Sequence, residues 1–181
     1  MTNIDLSREP VIVVDKDDNE QEVLSREQAE ADVSKIIRTV VILLFNKEEQ
    51  ILIQRRQADV RRFPNYWTAS ASGAVRPKES YPDAAERKLQ DELGLTVKLF
   101  HQRRELLPGL GAASRMAGLF VGRVDDAASV SPNQVKVSEV RWVNVEEAQK
   151  GYLIEPSFAP VLAWWQKSGK AMVDDINTQL S

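Results

Sequence analysis

The stretch GAVRPKESYPDAAERKLQDELGL, residues 73–95, sets Ala85, Leu89 and Leu93 four residues apart, which makes one apolar stripe along an α-helix. Pro82 suits a first helical turn, Asp83 and Glu86 complement the positive end of the helix dipole, and Gly94 is a natural stop. The runs on both sides read as strands, and two further helices close the chain. The stripe can pack on a sheet, and the order strands, one helix, strands, then helices makes the expected fold α+β or a mixed α/β/α layered domain.

The strand readings are specific. VIVVDKDDNEQEVLS is expected as two short strands around an Asp/Asn turn. SREQAEADV follows as a helix, with Ser25 as N-cap and Gln28 three residues on. IIRTVVILLF and ILIQRR flank the polar NKEEQ and suggest an antiparallel hairpin. TVKLFHQRREL, RMAGLFVGRV and KVSEVRWVNV are three more strands; VEEAQKGYL and FAPVLAWWQKSG are helices, and a polar tail begins near residue 169. The 181 residues make one domain long enough to bury a core.

A net charge of −3 argues against a general nucleic-acid or anionic-membrane binder, which normally carries a basic excess. The absence of cysteine removes disulfides, thiolate zinc sites and a thiol nucleophile, and the lone histidine, His101, removes any site built on several imidazoles. The N-terminus lacks the regions of a signal peptide and the apolar runs are strand-sized, so a cytoplasmic protein is expected.

The chemistry centres on the same helix. Lys88, Asp91 and Glu92 stand at i, i+3 and i+4 and crowd one arc beside the apolar stripe. Two adjacent carboxylates repel unless a cation offsets them. Oxygen ligands of this kind suit Mg²⁺ or Mn²⁺, with Glu79 as a third acid. The alternative is a solvated helix face with ordinary pairing, such as Arg87 with Asp91.

GAVRPKESYPDAAERKLQDELGL, residues 73–95, resembles the Nudix box G-x5-E-x7-R-E-U-x-E-E-x-G-U, where U is a bulky apolar residue. Gly73, Glu79, Arg87, Leu89, Glu92, Gly94 and Leu95 match, while Lys88 and Asp91 stand where the pattern has glutamates. With its flanks the resemblance covers about residues 36–145. It implies an α/β/α sandwich around a mixed sheet, with a helix that binds divalent metal and cleaves diphosphate linkages of nucleoside diphosphate derivatives or related small molecules. Carried over residue by residue, Glu92 is the first metal ligand, helped by Asp91, Glu79 and the Ser72 carbonyl, and Arg87 orients a carboxylate. Homodimers are frequent in that family, so a homodimer is an expectation too.

FPNYWTASASGAV is similar to the isopentenyl-diphosphate isomerase run F/W-P-x-x-W-T-x-S-x-C-G-H-P, whose box also carries a basic residue after its arginine. Ser72 stands at the catalytic cysteine and Ala74 at a metal-binding histidine, so the isomerase-like branch of Nudix hydrolases is the better match. Lys88 removes an acid and adds a cation: it either clamps a substrate phosphate or snorkels to solvent. Arg55 and Arg56 are further phosphate-binding candidates, Trp67 either lines the pocket or packs in the core, and Glu139 is either a replacement base or a surface strand residue. A metal-dependent hydrolase, a ligand-binding module without turnover and, last, an isomerase are the three readings.

Overall fold

The computed structural model describes residues 7–181. Strands β1 (Pro10–Val14) and β2 (Glu20–Ser25) are the two expected short strands around a turn and pair antiparallel, and helix α1 (Arg26–Ala31) starts on a capping box between Ser25 and Gln28. Strands β3 (Ile36–Phe45), β4 (Ile51–Arg56), β5 (Trp67–Thr68) and β6 (Ala71–Ala74) lead into helix α2 (Tyr81–Leu93). Then follow β7 (Leu99–Leu107), β8 (Ser114–Arg123), β9 (Val137–Val143), α3 (Val145–Gly151) and α4 (Ala159–Leu180).

All nine strands of the described residues join one mixed sheet. Its spine is β3, parallel to β8 along ten residue pairs and antiparallel to β1, β4 and β6 on the other side. Alternation along β3 divides its side chains between two cores. Val40, Ile42 and Leu44 meet Ala85, Leu89 and Leu93 of α2, the stripe read from the sequence. Leu43 and Phe45 face the opposite layer with Val161, Leu162 and Trp165 of α4. Helices therefore cover both faces, an α/β/α sandwich. Two local devices fix α2: the Ser80 side chain caps it in a capping box with Asp83, and Gly94 ends it with φ 66°.

Two expectations change. β3 and β4 pair only at Phe45 and Ile51, next to their turn, and then go to different partners, β4 joining β5 and β9. The Ser70 hydroxyl spans the gap, donating to the Leu52 carbonyl (2.6 Å) and accepting from the Leu44 amide (2.8 Å). The segment from residue 169 is helix, because Gly169, Val173 and Ile176 continue the buried face of α4. Gly169 is needed there: a Cβ would lie 2.8 Å from the Trp165 indole. Among the described residues no helix is long and apolar enough to cross a membrane.

Candidate functional site

Beyond the point where β3 and β4 part, a cavity of about 570 Å³ opens, lined by Thr39, Val41, Gln54, Thr68, Ser72, Gly73, Lys88 and Glu92 among others. Seven lysines and arginines line it against five acids, so its walls carry two more positive than negative charges and favour an anion.

The floor is built by β6 and one face of α2. Glu92 is buried and accepts from Gln54 Nε2 at 2.8 Å and from the Ser72 amide at 3.4 Å. Lys88, one turn earlier and only 6% exposed, brings Nζ to 3.9 Å from Glu92 Oε1. Its stem lies across β6 at Gly73, where a Cβ would come within 2.0 Å of Cε and 2.5 Å of Nζ. A glycine here is a condition for Lys88 to reach the cavity. Burial pushes the Lys88 ammonium below its usual range, against the pull of Glu92 and Glu9. Glu9 is partly desolvated too, but Arg26, Lys88 and Arg76 outweigh that and hold its carboxyl low.

The other acids of the helix and its loop point elsewhere. Glu79 receives Arg87 Nε at 2.6 Å, Arg87 Nη2 at 2.7 Å and the Arg76 amide at 2.8 Å. Arg87 also donates to the Ala74 carbonyl at 3.1 Å, so this pair ties the loop, the helix and β6 together. Asp91 turns toward Lys136 Nζ (3.7 Å) and Arg87 Nη1 (3.9 Å) and does not line the cavity. Each of the three acids thus has its own cation, and among the described residues no three acids or histidines gather to hold a metal.

That donor set does not fit a resident Mg²⁺ or Mn²⁺, which takes several oxygen ligands at once. Only Glu92 of the expected carboxylates reaches the cavity, and an ammonium already faces it. A divalent ion about 4 Å from that ammonium would be repelled by about 8 kcal/mol, twice the unit-charge figure at an effective dielectric of 20.

The remaining sequence candidates divide sharply. Arg56 lines the cavity, with Nε on the Arg62 carbonyl (3.1 Å) and Nη1 at 3.7 Å from Glu155. Arg55, its neighbour on the strand, lies outside the cavity, paired at 3.9 Å with Glu139 on β9. Glu139 in turn accepts from Arg141 at 2.6 Å and is also outside the cavity. Trp67 is buried edge-on against Tyr152, with ring centres 5.0 Å apart, away from the cavity.

Several lining residues were not among the sequence candidates. Arg115 on β8 pairs with Glu30 of α1 at 3.0 Å, and burial pushes its guanidinium below the usual range. Gln54 and Thr39 each leave an oxygen buried with no hydrogen-bond partner. The available signal was a polar residue inside an apolar strand run: Gln54 in ILIQRR and Arg115 in ASRMAGLF.

A Nudix-box helix packed on a mixed sheet beside a positively lined cavity defines an α/β/α domain. The NUDIX domain family model matches residues 35–165, and the chain belongs to that family. Similar proteins fall on two sides of it. An uncharacterized Nudix hydrolase of Listeria innocua is 44% identical over 110 residues, 61% of this chain and 64% of that protein, so the chain spans just under two thirds of that relative's length. The isopentenyl-diphosphate Δ-isomerase of Nocardia farcinica is 29% identical over 142 residues, covering 75% of this chain and 80% of the isomerase. The Nudix superfamily, including its isomerase-like branch, is where the chain sits. The crystal structure of DR0079 from Deinococcus radiodurans shares the fold, with TM-score 0.72 and 21% identity over 86% of this chain and 98% of that one.

Proposed function

We propose that the chain is a Nudix hydrolase that cleaves a diphosphate linkage in a nucleoside diphosphate derivative or related small molecule. The observation that carries this reading is the buried Lys88–Glu92 pair on the floor of a positively lined cavity. The cavity falls within the range of about 300–1,000 Å³ common for small-molecule sites. Lys88 and Arg56 hold phosphoryl oxygens as donors. Glu92, fixed by Gln54, takes the proton of a water that attacks phosphorus as the bridging P–O bond breaks. Nudix hydrolases generally use a divalent metal, here Mg²⁺ or Mn²⁺ by expectation; the residues present fit it poorly, and no step above passes through one.

The test is product release from a panel of diphosphate compounds with Mg²⁺, Mn²⁺ or EDTA, for wild type and Glu92→Gln. Turnover by the wild type alone supports the hydrolase. A second reading, a binding module without turnover, is favoured by one observation: Glu92 is already engaged by Gln54, Ser72 and Lys88. Binding without turnover of any compound selects it. Isomerisation is not proposed, because Ser72 and Ala74 supply neither a thiol nor an imidazole for moving a proton.

A further inference from the structure

We infer that the Lys88 ammonium is the resident cation of this site: it holds the place of a divalent metal ion against Glu92 and binds a phosphate of the ligand directly. The inference rests on the phosphate-binding part of the reading above, not on turnover.

Three observations converge on it. The first is position: Nζ stands over the Gly73 backbone and 3.9 Å from Glu92 Oε1, in the angle between β6 and the helix carboxylate. A metal at Glu92 would stand beside that charge.

The second is valence. An ammonium has three N–H donors. Among the described residues Nζ makes no hydrogen bond, since the Glu92 contact is beyond hydrogen-bond length. The buried stem holds the head in place, and the head opens on the cavity. Unspent donors on a buried cation call for a ligand rich in anionic oxygens.

The third is the wall around it. Arg56 and Arg115 line the same cavity, and Thr39 Oγ1 and Gln54 Oε1 are buried there without partners. A phosphate or diphosphate gives Lys88 its acceptors and meets Arg56 and Arg115, each already paired with a glutamate, as further positive charge; the two buried oxygens are reached only if their side chains turn. Thr39 and Gln54 are 7% and 6% exposed, so solvent does little for them.

Inorganic pyrophosphate, titrated calorimetrically in EDTA, is the probe, with Mn²⁺ alone followed separately by electron paramagnetic resonance. Wild type is expected to bind pyrophosphate without metal and to take up no Mn²⁺ at Glu92. Lys88→Met keeps the length and apolar stem but loses the charge, and is expected to weaken pyrophosphate by about tenfold or more. Lys88→Glu is expected to gain a Mn²⁺ site that the added change Glu92→Gln removes. Should Lys88→Glu fail to fold, wild type and Lys88→Met still decide the matter. Pyrophosphate binding that disappears in EDTA, equal binding by Lys88→Met, or wild-type Mn²⁺ uptake abolished by Glu92→Gln overturns the inference. Because no turnover is read, failure of the hydrolase reading leaves this result standing; failure here removes Lys88 from phosphate binding and leaves turnover through Glu92 to its own test.

Discussion

Arg87 and Lys88 are neighbours on one helix, and each faces a carboxylate, yet the two pairs are built for different ends. Arg87 meets Glu79 through two short hydrogen bonds, with a third donor from the Arg76 amide. Lys88 meets Glu92 at 3.9 Å, with no hydrogen bond between them. The first pair is closed toward its carboxylate: it knots the loop after β6 to the helix, and only Arg87 Nη1, buried 3.9 Å from Asp91 and away from the cavity, keeps no hydrogen-bond partner. The second is open, and its unspent donors face a cavity. A hydrogen-bonded ion pair stabilises the fold, whereas a buried pair with no hydrogen bond between its members, facing a cavity, is poised to take a partner.

Breaking the closed pair should have the largest effect. Arg87→Ala leaves Glu79 mostly buried with its main donors gone, and a loss of about 3 kcal/mol in folding stability is expected. Urea denaturation reads it as a lower midpoint. A variant as stable as wild type would show that the knot contributes nothing and that the contrast between the pairs is false.

Gly73→Ala probes the open pair from its floor. The new methyl needs the space that the Lys88 stem fills, at a cost of about 1–3 kcal/mol in overpacking. Adding Lys88→Ala vacates the space, so the double variant should recover most of that cost relative to Lys88→Ala alone. A double-mutant cycle with no coupling would place the stem elsewhere.

The closed pair also has a pH signature. Burial raises the Glu79 carboxyl, but the Arg87 and Arg76 contacts outweigh it and leave the folded value below 4.5. A depressed carboxylate contributes stability that is fully present above its unfolded value and is lost as pH falls through the folded one. Wild type minus Arg87→Gln, followed by denaturation from pH 6 down to about pH 3, should therefore shrink as acid is added. A constant difference would mean that the arginine acts through packing alone.

How much of this was legible depends on whether a residue's role is set locally. The apolar stripe of α2 and the Ser25–Gln28 cap follow from spacing along one segment, and both appear as read. Partner choice in the sheet is not local: β3 and β4 look like a hairpin, but β6 takes the edge of β3 that β4 would extend along, while β8 fills the other edge. The last helix was hidden by composition, since its polar exposed face outnumbers the three residues that bury it beyond residue 168. Lys88, Asp91 and Glu92 share an arc by arithmetic, yet only the tertiary neighbours Gln54 and Lys136 decide that Glu92 turns inward and Asp91 outward.

Arg55 and Arg56 pose the same problem in two letters. Successive strand residues face opposite sides, so a sequence offers both and the sheet keeps one for the cavity. Arg56 is on the cavity side with Glu155, while Arg55 and Glu139 form a partly exposed cross-strand pair at 3.9 Å. Such a pair contributes about 0.5 kcal/mol or less. Arg55→Ala and Glu139→Gln are therefore expected to leave pyrophosphate affinity within about twofold of wild type, the smallest effect of the set. Arg56→Ala, one residue along, should weaken it several times more. Equal losses at the two arginines would mean that charge near the mouth attracts the anion at long range, and raising the salt concentration would then erase both. Unequal losses that survive added salt would mean contact, and would extend the distinction between closed and open pairs from the helix to the strand opposite it.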